Sequence, residues 1–161
     1  MDRATLENGN VLVYLLRHFH ENRSHESASA VLRCLRNSFV LVPCSLRIDD
    51  DDADMIINSK IGDIVHVNNE IGMRPDILIN NETQERLFPV FSQYEQIPDD
   101  YGVHFSYLNM HFVDVCDWFK QYDDVSGIIV DPFTVSFTLT ENIIEFVQEL
   151  PSEIDEFASH S

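Results

Sequence analysis

The sequence predicts an α/β protein of the α+β kind, with a small mixed β-sheet flanked by helices in a single domain. Three observations carry that prediction. From residue 76 to residue 150, short apolar runs and helical periodicity alternate in the order strand, turn, strand, helix, strand, turn, strand, helix. Phe39-Val40-Leu41-Val42 and Gly127-Ile128-Ile129-Val130 are apolar at every position, as strands buried on both faces are. At 161 residues and 44% hydrophobic content, the chain can bury roughly 70% of its unfolded surface around one core. Within that domain, residues 1–37 read as a helical hairpin preface, 38–150 as the α/β core and 151–161 as an acidic tail.

Each element follows from local chemistry. Val11, Leu12, Leu15, Leu16 and Phe19 recur at helical spacing and predict a helix over residues 10–20. Ser24 is the expected N-cap of a second helix, in which Ala28, Val31, Leu32 and Leu35 share a face; it ends near Arg36-Asn37. The first apolar strand is expected to close at Pro43. Five carboxylates in the six residues 49–54 repel one another and predict a solvated loop, and residues 61–67 suggest an edge strand. Ile77-Leu78-Ile79 and 86–91 flank a polar stretch beginning Asn80-Asn81 and predict a β-hairpin, with Pro89 at an edge or bulge because it cannot donate to a ladder. Ser92 is expected to cap one turn that Pro98 stops. Phe112, Val115, Cys116 and Phe119 at i, i+3, i+4 and i+7 predict a helix with one buried face. Residues 127–130 form the second apolar strand, residues 135–139 alternate as a half-exposed strand, and Thr140 is the expected cap of a helix over 141–150. The tail from Ser152 is expected to fray.

The formal charge of −18 is unevenly placed. Residues 1–36 hold five Arg against four acids, a net of +1, which leaves −19 to the remainder. A field of that sign repels phosphate backbones and argues against nucleic-acid binding. No run of 18 apolar residues spans a bilayer, and the start Met-Asp-Arg-Ala lacks the basic-then-apolar order of a signal peptide. Cys34, Cys44 and Cys116 are odd in number and lie among apolar neighbours, which suits buried thiols in a reducing compartment. The expectation is a cytoplasmic protein with no membrane association.

The order of these pieces resembles the N-terminal domain of the SseB family, bacterial proteins named for enhanced serine sensitivity. The likeness is carried by Phe39-Val40-Leu41-Val42-Pro43, by Leu87-Phe88-Pro89-Val90-Phe91-Ser92, and by Gly127-Ile128-Ile129-Val130-Asp131-Pro132-Phe133 followed by a helix, and it covers residues 32–147. Asp131 departs from the Asn common before that proline in the family. The resemblance implies an α/β fold with a small mixed sheet and implies little chemistry, because the family looks non-enzymatic.

Asp50, Asp52 and Asp54 match the first alternate ligands of a calcium loop, but Met55 stands where the turn glycine belongs and Ile61 where the closing Glu belongs. His18 and His20 are two apart, and His111 and Cys116 five apart, spacings that diverge on a helix and hold no zinc. No nucleophile elbow or phosphate loop occurs, and Asp99-Asp100 and Asp123-Asp124 read as exposed turns. No cofactor, metal or catalytic residue is expected.

One cluster stands out. Tyr94, Tyr101, Phe105, Tyr107, Phe112 and Trp118 crowd into the stretch after the hairpin. Core packing is one explanation, since aromatics dominate cores. The other is a protein-binding patch of Tyr94, Tyr101, Phe105, Tyr107 and Trp118. The functional expectation is therefore a non-enzymatic protein-interaction module whose unknown partner is basic. The alternatives are an acidic inhibitor or immunity protein against a basic toxin or nuclease, acting through the 49–54 loop, and an enzyme of unrecognised mechanism.

Overall fold

The structure, a computed structural model, describes residues 9–47, 54, 57–60, 62 and 72–153. Most of the acidic loop with its calcium-like motif, the expected edge strand at 61–67 and the tail beyond 153 lie outside the described residues. Among those described, five helices lie with two small sheets. The order is α1 (Asn10–Glu21), α2 (His25–Asn37), β1 (Phe39–Arg47), β2 (Gly72–Pro75), β3 (Leu78–Ile79), β4 (Arg86–Val90), a 3₁₀ turn (Tyr94–Gln96), α3 (Asp99–Gly102), β5 (Ser106–His111), α4 (Phe112–Phe119), β6 (Gly127–Val130), β7 (Phe137–Thr140) and α5 (Glu141–Glu149). The α+β architecture expected from the sequence is the one observed.

The strands form an antiparallel sheet of order β2-β1-β5 and a mixed sheet of order β3-β4-β6-β7, in which β4 and β6 run parallel. The two sheets meet where Leu41 and Phe91 exchange backbone hydrogen bonds of 2.8 and 2.9 Å. This junction explains both prolines. In an antiparallel ladder alternate residues turn their amides to opposite edges, so Pro43, like Leu41, turns its nitrogen away from β5. There it faces Asp76, whose amide donates to the Pro43 carbonyl at 2.9 Å, so the missing donor costs the ladder one bond just before the β2 pairing begins at Cys44. β1 therefore runs through Pro43 to Arg47, where a stop was expected. Pro89 likewise lies between the β3 pairing, which ends at Leu87, and the Phe91 junction, while its neighbour Val90 serves β6 by accepting from Asp131.

Period-2 alternation gives this sheet two distinct faces. Val40, Val42, Cys44, Phe88, Val90, Ile128, Val130 and Leu139 pack in one core with Leu12 and Leu16 of α1, Val31 and Leu35 of α2, Phe112, Val115, Cys116 and Phe119 of α4, and Ile144 and Val147 of α5. The helical hairpin therefore docks on its own sheet. Ser24 caps α2 as expected, and Ser27 completes a reciprocal capping box with it. Arg36 donates through Nε to the Leu150 carbonyl at the C-terminal end of α5, 2.8 Å, and Asn37 Oδ1 accepts from the Glu153 amide, 2.7 Å. Ser152 and Glu153 are thus fastened to α2, where fraying was expected. Among the described residues no helix is long and apolar enough to cross a membrane.

Three local expectations are corrected. Thr140 stands at the N-cap position of α5 without a side-chain cap bond. Ser92 caps no turn, because its hydroxyl is taken by Asp131. Residues 106–111, which hold part of the aromatic cluster and for which no strand was expected, form β5, with Leu108 and Met110 turned to the core and Tyr107, Asn109 and His111 to the other side. In the hairpin, Asn80 Oδ1 accepts from the Glu82 and Thr83 amides and Gln84 takes the positive φ.

Candidate functional site

The face of the sheet turned away from α1, α2, α4 and α5 is the candidate site. Leu41, Leu87, Phe91 and Ile129 alternate with the core residues and are buried, yet stand outside the helix-packed cluster. Residues 91–107 and the turn after β6 fold over this face, so the aromatic stretch forms a second layer.

Asp131 fixes that layer. It accepts from the Ser92 amide through Oδ1, 2.8 Å, and from the Ser92 hydroxyl through Oδ2, 2.6 Å. Its own carbonyl accepts from the Thr134 and Ser136 amides. Asp131 is 1% exposed and has φ +50°, and burial holds its carboxyl above the usual range against the opposing Ser92 hydrogen bonds. The ends of β4 and β6 are thereby joined, and the chain leaving each is aimed across the sheet. Thr134 then donates to Gln96 Oε1, 2.9 Å, tying the two turns together.

The aromatic side chains assemble around Tyr101. Its ring lies 5.8 Å from Phe91, 4.9 Å from Phe105 and 5.1 Å from Phe133, and Phe133 stacks on Phe91 at 6.2 Å. Its hydroxyl donates to Asp76 Oδ2, 2.5 Å, and burial together with that carboxylate drives its pKa up. Tyr107 meets Tyr94 edge-on at 6.0 Å and donates to the Gly102 carbonyl, 3.3 Å. Two open clefts flank the group. One of about 280 Å³ is lined by Phe39, Leu41, Ser92, Tyr94, Glu95 and Asn109 among others. The other, about 450 Å³, lies beside Arg74, Asp76, Phe105, Tyr122 and the Arg86–Asp124 ion pair.

Of the residues singled out in the sequence, Tyr94, Tyr101, Phe105 and Tyr107 come together. Trp118 does not join them: its ring packs edge-on against Phe88 at 5.6 Å on the helix side, and Phe112 is fully buried there. Phe91, Phe133 and Val103 were missed. Phe91 read as strand core and Phe133 as the end of a turn; their shared location depends on the Ser92–Asp131 link. Val103 is the most exposed of the group at 77%, with Tyr94 at 63% and Phe133 at 47%, so the layer is buried beneath and apolar outside.

The aromatic layer presents apolar rings and the hydroxyls of Tyr94, Tyr101 and Tyr107. Burial pushes the Cys44 thiol up to about 11 and Cys116 to about 12, and raises Cys34, opposite to the activation a nucleophilic cysteine needs. Among the described residues no three His, Cys, Asp or Glu side chains gather as a metal site would require.

We found no match among curated proteins or among solved structures. A family model described as the SseB protein N-terminal domain matches residues 12–145. The match begins within α1, so the helical hairpin is part of the family's domain and not an addition to it. With most of its length covered by that match, the chain belongs to the SseB family.

Proposed function

We propose that the chain is a non-enzymatic protein-interaction module and that the face covered by the aromatic layer, with Tyr94, Val103 and Phe133 outermost, is where its partner docks. One observation carries this reading: three large apolar side chains project into solvent from a layer whose inner members are fixed by Asp131 and Asp76. A rigid, partly exposed aromatic surface is what protein interfaces use as anchors, because little side-chain entropy is lost on binding. The partner expected is basic, given the −18 charge, and the setting is the cytoplasm.

Affinity capture from the organism that makes the protein, repeated with Tyr94→Ala, Val103→Ala and Phe133→Ala combined, tests this. Loss of roughly 2 kcal/mol at an anchor is about thirtyfold in affinity, so the captured partner is expected to fall by that order while Tyr14→Ala and Phe146→Ala leave it unchanged. Equal capture by both variants sinks the reading. A second reading, an acidic inhibitor of a basic toxin or nuclease, draws on the same charge but places the contact at residues 49–54. Capture that is abolished by salt and indifferent to Tyr94 would favour it.

A further inference from the structure

We propose that β5 is the edge to which an extended, cationic segment of the partner adds as a new strand. This rests on the reading that the face covered by the aromatic layer receives a protein. β5 ends the order β2-β1-β5, so β1 is its single strand neighbour among the described residues. The direction of its amides follows from the ladder. Phe112 donates to the Ser38 carbonyl at 2.9 Å, while Leu41 spends its amide and carbonyl on Phe91 at the opposite edge of β1. Even-numbered residues of β5 therefore turn their amides to β1, and those of Tyr107 and Asn109 point outward. Neither outward amide nor carbonyl bonds to a described residue.

Natural sheets protect such an edge with Lys, Pro, an inward charge or a bulge. Ser106-Tyr107-Leu108-Asn109-Met110-His111 carries no Lys, Arg, Asp, Glu or Pro, and its pairing with β1 is regular over all six residues. The side chains of Tyr107 and Asn109 stand on that face beside Tyr94 and the smaller cleft, so an added strand about 4.8 Å away would lay alternate side chains along the same surface.

Charge selects the occupant. From residue 87 to residue 119 there is no Lys or Arg, while Glu95, Asp99, Asp100, Asp114 and Asp117 are all exposed. A second copy would bring the same sign to the contact; a segment with Lys or Arg around an apolar residue brings the complementary one.

The test titrates the intact chain with a short fluorescent peptide alternating Lys and Val around one Phe, and with the same peptide N-methylated at alternate residues. The two carry equal charge and differ in the backbone donors that strand addition uses. The proposal expects the N-methylated peptide to bind at least roughly tenfold more weakly. It also expects the parent peptide to slow hydrogen exchange at Tyr107 and Asn109. Equal binding by both peptides, or failure of both to bind, overturns it. Protection confined to the surface of Tyr94, Val103 and Phe133 overturns the strand-addition step and leaves the docking face standing. Self-association of the chain with protection of Tyr107 and Asn109 before peptide is added would give the edge to a second copy and also overturn it.

Discussion

Asp131 combines a left-handed backbone with a carboxyl sealed from water, two features that each cost stability unless something compensates. The compensation is Ser92, which supplies an amide and a hydroxyl. Burial still wins, so the folded protein holds the Asp131 proton more tightly than the unfolded chain does. The sign of the pH effect follows. A carboxyl whose folded pKa is raised contributes its stability fully below the usual carboxylate range, and that contribution is lost as pH rises through the folded value. Asn tolerates positive φ, keeps the acceptor for the Ser92 amide and carries no charge to bury. Asp131→Asn is therefore expected to raise the urea midpoint at pH 7, with the gain shrinking toward zero as pH falls below about 4. A variant less stable than wild type at pH 7 would show that the charged hydrogen bonds outweigh desolvation. The sequence marked Asp131-Pro132 as a strand end; its tie to Ser92 depends on β4 and β6 pairing, which no local pattern reports.

At the level of elements, periodicity was readable wherever one face is apolar and the other polar. α1, α2, α4 and α5 lie close to their expected places, and β4 and β6 follow from apolar runs. Prolines misled because their effect depends on which edge the nitrogen meets. Pro43 was expected to end β1 and instead turns its nitrogen to the edge shared with Phe91 and Asp76, where its carbonyl accepts from the Asp76 amide. β5 was missed because neither of its faces is cleanly wet or dry: Tyr107 packs against Tyr94 while Leu108 and Met110 are only half-buried, which blurs the alternation. The seating of α1 shows the same dependence on tertiary context. Gly9 has φ +76°, and a Cβ there would stand 2.2 Å from the Ser92 carbonyl oxygen. Gly9→Ala is expected to cost roughly 1–3 kcal/mol from backbone strain alone, measured as a lowered urea midpoint. Unchanged stability would mean that the contact between the start of α1 and Ser92 is loose.

For the whole molecule, the distribution of polar groups separates folding from binding. The helix side is a conventional core, and the opposite side is a layer of rings resting on buried apolar residues with its outer members in solvent. The sequence displayed the aromatic residues but not their division, so Trp118 was grouped with Tyr101 although the two lie on opposite faces. Glu95, Asp99 and Asp100 are exposed in the same stretch as the aromatic residues, and no Lys or Arg occurs from residue 87 to residue 119. Site-specific photo-crosslinking tests the docking face most directly, with a light-activated side chain placed at Tyr94, Val103 or Phe133 and, in parallel, at Tyr14 or Phe146. The same partner protein is expected at all three positions of the first set and at neither of the second. Crosslinks that appear at Tyr14 or Phe146 while the first set stays empty would contradict the account and move the binding surface to the helices.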